Sequence, residues 1–376
     1  MDSTAMLKNC RVCLSKKISQ IARFEDMPIR LWPSKNNMAV PLSPLVLFAC
    51  TNCGHVQLQN LEDEFIASLY DGDYMNLDSS IINEIRATYL KGKNQLENST
   101  ILDVGGGTNS SHKFFKSSNY SILDPQHPTD VQVNYIKGLI STSNLSKDFY
   151  DYIFAFHIFE HLENPRKDLQ KLSECLREGG RIFVEIPDSK FYAKYIPYYL
   201  FFHQHINLFT METLDKLFSL EGFYKIDMLQ EGGRLLITYE KSQYDFPKIQ
   251  DQTTSNINPI FGVDRKFFEA KEREIISDLE SLSPGEIVFL GAGGSTTLLL
   301  YHFPKLAKRV DSFMDNDIRK IGLHFPGTTK NIEQMTSNPE IGKIYLTLGE
   351  AIFVNWGNGR PDRFIDIKSY FDGKVK

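Results

Sequence analysis

The sequence of 376 residues lacks a long hydrophobic run and has no excess of positive charge. Its longest apolar stretches, such as residues 44–50, have the length of a strand, whereas a membrane helix needs roughly 20 apolar residues. Residues 1–9 contain no apolar signal core. The formal net charge is −5, and a general nucleic-acid binder normally has a basic surface. We therefore expect a cytoplasmic protein that binds neither membranes nor nucleic acids.

Cysteine is scarce, yet four of the five cysteines stand in two Cys-x-x-Cys pairs near the start of the chain. These pairs are Cys10 with Cys13 and Cys50 with Cys53. Two thiolates three positions apart can turn inward from one tight turn, and two such turns complete a tetrahedral zinc shell. Because four protein ligands leave no open position, the zinc is expected to stabilise a small lobe and not to take part in chemistry.

Two disulfides, or four unrelated core cysteines, are the alternatives to zinc. Nothing in the sequence suggests export, and thiols in the cytosol stay reduced. His55 could replace one cysteine as a ligand, although a buried or surface histidine is the commoner case. Cys175 is remote from the pairs and falls on an apolar helix face, so we expect it in a core.

The length favours two or three domains. Residues up to about 65 are rich in turns and predict a small irregular lobe. Residues 241–260 are polar and read as a linker. We therefore predict a zinc-binding lobe at 1–68, a central domain at 69–245 and a C-terminal domain at 246–376.

Both larger segments alternate strand-like and helix-like patterns, which indicates an α/β fold with a mostly parallel sheet. In the central segment, strands are predicted at 100–104, 121–124, 150–156 and 181–186, and a helix at 164–176. In the C-terminal segment, a helix is predicted at 265–282, and strands at 286–290 and 310–315.

The first central strand runs into three consecutive glycines, Gly105 to Gly107. A glycine turn lets the backbone approach a ligand closely, and an acid after the next strand can accept hydrogen bonds from ribose hydroxyls. Asp124 is that acid. The layout suits a dinucleotide or S-adenosylmethionine, but the dinucleotide fingerprint fails at Ser110. Asp103, two residues before Gly105, suits the amino group of the methionine part of the second cofactor.

Residues 156–165 (FHIFEHLENP) and 176–187 (LREGGRIFVEIP) resemble the late part of a class I methyltransferase domain. More narrowly, the chain resembles the three-domain sugar C-methyltransferases that act on nucleotide-linked keto sugars. That family has a tetracysteine zinc lobe, a methyltransferase domain and a C-terminal Rossmann-like domain. The last of these is matched by residues 289–294, 314–322 and 325–328. The resemblance covers nearly the whole chain and implies the same three-part architecture here.

The resemblance also implies a mechanism in which S-adenosylmethionine methylates a carbon beside a ketone. The family places its histidine base in a Tyr-His-Glu-His segment, which is Phe202-His203-Gln204-His205 here. His205 aligns with the base, and His203 and Gln204 are its expected neighbours in the site. Phe202 lacks the hydroxyl of the family's tyrosine, and Gln204 lacks the charge of its glutamate.

Further roles follow from the same resemblance. Tyr74 matches a catalytic tyrosine, with Tyr70 second and assigned to the substrate. His157 is expected on the sulfonium side of the cofactor, with core packing as the alternative, and Glu160-His161 is expected to shape the loop near the cofactor. In the C-terminal domain, the residues expected to help bind the nucleotide part of the substrate are Gly291, Gly293, Asp315 and Lys320. Close strand–helix packing is the alternative role for these glycines.

Several interpretations remain open at this point. The His203-x-His205 pair could be a structural turn or an adventitious metal site. The methyl acceptor could be oxygen or nitrogen, in a related sugar or a surface-polysaccharide precursor. A non-catalytic zinc-containing binding protein is a third possibility. The expected partner is a small nucleotide sugar, and the expected assembly is a monomer or homodimer.

Overall fold

The computed structural model describes residues 8–35, 39–60, 80–91, 96–107, 112, 119–125, 133–242, 262–336, 340–348 and 363–371. The strands in this part of the chain are β1 Ile18–Pro28, β2 Leu42–Cys50, β3 Val56–Leu58, β4 Thr100–Val104, β5 Asn119–Asp124, β6 Asn134–Lys137, β7 Tyr150–Phe156, β8 Leu176–Pro187, β9 Asn207–Leu208, β10 Phe223–Glu231, β11 Arg234–Lys241, β12 Ile287–Leu290, β13 Ser312–Asp315, β14 Ile332–Gln334, β15 Ile344–Thr347 and β16 Phe364–Asp366. The α-helices are α1 Ser80–Lys91, α2 Pro165–Cys175, α3 Ser189–Tyr195, α4 Met211–Leu220, α5 Arg265–Ser281, α6 Gly294–His302 and α7 Pro304–Ala307.

The cysteine-bearing lobe contains an antiparallel sheet in the order β1-β2-β3-β9. The sequence predicted an irregular lobe, but β1 and β2 are long strands that pair over most of their length. The fourth strand, β9, comes from the central segment, where Leu208 pairs with Val56. This pairing attaches the segment that follows His205 directly to the lobe.

The central sheet has the strand order β10-β11-β8-β7-β4-β5-β6. Strands β4 to β8 are parallel, and β10 and β11 add an antiparallel hairpin next to β8. All five residues of β4 are buried, as expected for a strand covered on both faces. The four predicted strands and the predicted helix are all present, which confirms the α/β fold. The glycine turn lies at the carboxyl end of β4, the edge at which open parallel sheets bind ligands.

The C-terminal sheet is parallel and has the order β14-β13-β12-β15-β16. Its core is shared with the lobe. Phe24 of β1 contacts Phe268 of α5 at a ring-centroid distance of 6.1 Å, and Thr297 of α6 donates a hydrogen bond to the carbonyl of Leu31. The predicted domain boundaries at 68/69 and 245/246 lie outside the described residues, so the three-domain division stays a prediction. No described helix combines the length and the apolar character needed to cross a membrane.

Candidate active site

The four paired cysteines lie together, with their sulfurs within 4.8 Å of one another. The Sγ atoms of Cys10 and Cys53 are 3.6 Å apart, as are those of Cys13 and Cys50. Zinc holds thiolates at about 2.3 Å, which puts tetrahedral sulfurs roughly 3.8 Å apart. The four side chains therefore fit a zinc ion. His55 is not part of this cluster, since its Nε2 lies 3.3 Å from Oδ1 of Asn207.

Arg11 connects the first cysteine pair to the central segment. It is buried, and its Nη1 donates hydrogen bonds to the carbonyls of Leu58 (2.8 Å) and Ile206 (3.2 Å). Its backbone N–H donates to Oε1 of Gln57. The cysteine turn thus holds the residue that directly follows His205.

The glycine turn after β4 requires glycine for two physical reasons. Gly105 and Gly107 have φ values of +69° and +42°, in the left-handed region that other residues seldom adopt. A Cβ on Gly105 would lie 2.2 Å from Cδ1 of Ile158, and one on Gly106 would lie 2.7 Å from Oδ2 of Asp103. A side chain at Gly105 or Gly106 would therefore displace its neighbours and distort the turn.

The two carboxylates predicted to bind the cofactor both lie next to this turn. Asp124 ends β5, half-buried, with its Oδ2 3.3 Å from the position of a Cβ on Gly107. Asp103 is buried under Gly106 and accepts a 2.7 Å hydrogen bond from the hydroxyl of Tyr120. Both carboxylates thus lie against the turn. The predicted roles of Asp124 towards ribose and of Asp103 towards the amino group of the cofactor stay predictions. The set fits S-adenosylmethionine.

His157 follows β7 with φ +56°, an unusual conformation for a residue other than glycine. Its Nδ1 donates to Oε1 of Glu160 at 2.8 Å, and its Nε2 lies 3.3 Å from Oε1 of Glu185. Burial alone lowers the pKa of His157, but the hydrogen bonds to Glu160 and Glu185 outweigh burial and raise it to about 9. His157 is therefore an imidazolium at neutral pH, paired with the carboxylates of Glu160 and Glu185. Its predicted position on the sulfonium side of the cofactor stays a prediction.

Glu185 is fully buried on β8 and is surrounded by cations. Arg86 of α1 forms an ion pair with it, and Nη1 of Arg234 lies 3.5 Å from its Oε1. Burial raises the pKa of Glu185, but His157 and Arg86 together lower it to about 2. The ionised carboxylate holds His157 in place from the sheet side.

The histidine expected to be the base lies beside a second histidine. The ring centroids of His205 and His161 are 5.0 Å apart, and Nδ1 of His161 donates to the carbonyl of Gln204 at 2.7 Å. Burial, followed by the nearby His161 and His157, holds the pKa of His205 well below its usual value. His205 is thus unprotonated at neutral pH. Phe202 packs against it at a ring-centroid distance of 4.0 Å, with the ring planes tilted by 40°.

His203 lies elsewhere. Its side chain is 1% exposed. Burial lowers the pKa of His203 below its usual value. Hydrogen bonding with the backbone of Pro44, Pro28 and Ser43 in the lobe opposes this shift only in part. The structure therefore places His203 against β1 and β2 and does not bring it together with His205. Its predicted catalytic role stays a prediction.

A narrow, partly open cleft lies beside His205, with a volume of about 10 Å³, enough for one water molecule. The residues that line it are Glu160, Pro187, Ser189, Tyr192, Tyr199, Leu200, His205, Asn207 and Leu208. Burial raises the pKa of Tyr192 to about 12, so its hydroxyl remains a hydrogen-bond donor. Tyr70 and Tyr74 lie outside the described residues, and their predicted roles are untested.

The sequence did not single out Tyr192, Asn207 or Glu185 as site residues, and it assigned Glu160 only to loop shaping. Tyr192 and Asn207 reach the cleft from separate segments of the chain. Glu185 lies within a buried strand, where an ionisable residue is unusual unless it is paired. An ionisable residue inside an apolar strand was the sequence signal that could have identified Glu185.

In the C-terminal unit, the residues predicted to bind the nucleotide part of the substrate surround the turn after β12. Oδ2 of Asp315 accepts from the backbone N–H of Ala292 and from Lys320, each at 2.8 Å. Gly291 has φ +93°, and a Cβ on Gly293 would meet nothing within 4 Å. Asp315 thus forms an ion pair with Lys320 and accepts a hydrogen bond from the turn. Their substrate role stays a prediction.

Residues 79–228 match the methyltransferase domain family. Among solved structures, an S-adenosylmethionine-dependent methyltransferase from Mesorhizobium loti is similar, at 13% identity over 42% of this chain and 98% of that chain, with a TM-score of 0.34. The 1,6-didemethyltoxoflavin-N1-methyltransferase of Burkholderia thailandensis is 14% identical over 50% of this chain and 96% of that chain, with a TM-score of 0.37. No curated protein matches the sequence. The protein contains a methyltransferase domain, which confirms the predicted enzyme class.

Proposed function

We propose that this methyltransferase uses S-adenosylmethionine to methylate a nucleotide-linked keto sugar at the carbon beside its ketone. One observation carries the proposal. Segment 156–161 contacts the glycine turn through Ile158, and its other side reaches the cleft through Glu160. A cofactor at the turn and a substrate in the cleft would therefore be neighbours.

The cofactor would be held by the backbone of Gly105 to Gly107 and by Asp124. When bound there, S-adenosylmethionine supplies an electrophilic methyl group. The zinc proposed at the four cysteines supplies stability only, since its shell is closed.

His205 is the proposed base. Its imidazole is unprotonated and lies at the cleft, so it can take a proton from the carbon next to the ketone. The substrate becomes an enolate and His205 an imidazolium. The hydroxyl of Tyr192 is a donor that can stabilise the enolate oxygen. Tyr199 also lines the cleft and gives it an aromatic wall.

The C-terminal unit is the proposed site for the nucleotide part. Support comes from the uncovered Gly293 at the start of α6, because helix N-termini attract phosphate. Asp315 and Lys320 would act there by holding the turn.

The decisive experiment is an intact-mass screen of nucleotide sugars with S-adenosylmethionine, in which a product one methyl heavier is expected. NMR should place the new methyl on carbon, and substrate incubated in deuterated water should exchange the proton at that carbon. Products methylated only on oxygen or nitrogen, without such exchange, would contradict the carbon mechanism. If S-adenosylmethionine failed to raise the melting temperature, a non-catalytic binding protein would become the better explanation.

Methylation of oxygen or nitrogen is the second candidate, and the low pKa of His205 favours it. A weak base removes a proton from carbon poorly but can still orient a hydroxyl or amine. The same NMR measurement separates the two reactions.

A further inference from the structure

Glu160, His161 and His205 form a second cluster able to hold a metal, distinct from the four cysteines. Each offers one ligand atom, and the three atoms lie within 4.8 Å of one another. Nε2 of His161 is 3.9 Å from Oε1 of Glu160. A tetrahedral ion with nitrogen and oxygen ligands at about 2.1 Å places them roughly 3.4 Å apart. Small side-chain rotations would therefore close the set around one ion.

The surroundings of this cluster already orient two of the ligands. His161 donates its Nδ1 proton to the carbonyl of Gln204 at 2.7 Å, which leaves the lone pair of the neutral ring on Nε2. Oε1 of Glu160 accepts from His157 at 2.8 Å. Metal sites commonly fix their histidines and carboxylates through outer hydrogen bonds of this kind.

Glu160 supplies an independent indication of a ligand. Its side chain is 2% exposed, and its Oε2 has no hydrogen-bond partner among the described residues. A buried polar atom without a partner costs free energy. The same side chain lines the cleft, where a cation could reach that oxygen.

We propose that Glu160, His161 and His205 bind a divalent cation of borderline softness, such as Zn²⁺ or Ni²⁺. Two imidazoles and a carboxylate suit these ions. Three protein ligands leave at least one coordination position open, unlike the closed cysteine site. A bound ion occupies the lone pair of His205, so the site is inhibitory. The inhibition rests on the proposed role of His205 as the base, whereas the binding does not.

Calorimetric titration of untagged protein, carrying one zinc per chain, with Ni²⁺ tests the binding without substrate. Wild type should bind one further equivalent. Glu160→Gln and His161→Asn should each weaken that binding at least 10-fold, as loss of even an outer-shell partner does. Glu178→Gln, at an exposed glutamate, is the matched control and should bind as wild type. Unchanged zinc content and circular dichroism would show that each variant folds.

The proposal is overturned if wild type binds no further equivalent, or if folded Glu160→Gln binds nickel as tightly as wild type. Once a methyl acceptor is known, nickel should inhibit wild type and should inhibit Glu160→Gln less. If no nucleotide sugar is methylated, the proposed function fails and the titration still decides the metal site. If nickel binds without inhibiting an active enzyme, the inhibitory role is wrong.

Discussion

Nδ1 of His161 donates a hydrogen bond to the backbone carbonyl of Gln204, 43 residues further along the chain, at 2.7 Å. Asn207 reinforces the link, since its Nδ2 donates to the carbonyls of Phe159 (3.1 Å) and Leu162 (2.7 Å). Three hydrogen bonds thus join the segment after β7 to the segment that carries His205. Because the backbone of Gln204 makes this contact, the position of His205 does not require a glutamate at 204.

The Asn207→Asp variant should test this link. The aspartate keeps an oxygen that can accept a hydrogen bond from His55. It loses the two hydrogen bonds that the Asn207 side chain donates to the carbonyls of Phe159 and Leu162. We expect kcat to fall by about 10²-fold, the cost of a misplacement near 1 Å, and stability to fall by about 1–3 kcal/mol because buried carbonyls lose donors. Steady-state kinetics and urea unfolding measure both. A stable variant with unchanged kcat would show that Asn207 does not position the site.

His205 and His203 should separate in function. His205→Asn should lower kcat by about 10²–10⁴-fold, the usual contribution of a general base, with little change in melting temperature. His203→Asn should mainly lower the melting temperature, because His203 is buried against the lobe. Parallel kinetics and thermal unfolding distinguish them. Equal losses of kcat in two well-folded variants would restore His203 to the catalytic set.

Gly105→Ala should impair cofactor binding, and Gly222→Ala provides the control. Both glycines have positive φ, +69° and +82°, so each alanine should cost about 1–2 kcal/mol of backbone strain. Only at Gly105 would the new Cβ displace Ile158, since Gly222 has nothing within 4 Å. We expect S-adenosylmethionine to bind at least 10-fold more weakly to Gly105→Ala alone, by calorimetry. Equal affinity in both variants would count against the turn as the cofactor site.

The imidazolium of His157 should make stability depend on pH. Its pKa rises from 6.5 in the unfolded chain to about 9 in the folded protein. The protonated form therefore stabilises the fold fully below pH 6.5, and this contribution disappears as the pH rises through 9. Urea unfolding across this range should show a decline that Glu160→Gln reduces. An NMR titration that placed the pKa of His157 near 6.5 would contradict the expectation.

The zinc should influence catalysis only by keeping the lobe folded. Cys50→Ser should lose zinc and unfold the lobe, which limited proteolysis would detect. Arg11→Met should retain zinc but lose the hydrogen bonds to Leu58 and Ile206, so we expect lower kcat with unchanged zinc content by mass spectrometry. Loss of zinc from Cys50→Ser without unfolding of the lobe would show that the metal is not structural.

Local patterns in the sequence predicted much of the fold. The helix expected at 164–176 is Pro165–Cys175, and the one expected at 265–282 is Arg265–Ser281. Both begin at recognisable signals, a proline at the first turn and a capping aspartate. The apolar stretch at 44–50 has the length of a strand and forms most of β2, but its partner β1 was missed because polar residues interrupt the apolar pattern of β1. Its register depends on the partner strand and not on local preference.

The sequence by itself determined the elements that depend on spacing along a short stretch. These are the two cysteine turns, the strand that runs into Gly105, and Asp124 at the end of the following strand. Only the tertiary structure decided which histidine lies beside His205. His203 and His205 are two residues apart yet separate, while His161 joins His205 from a distant segment. The physical reason is that β9 pairs with β3 and Asn207 bonds the turn after β7, which are contacts between remote segments that no local pattern encodes.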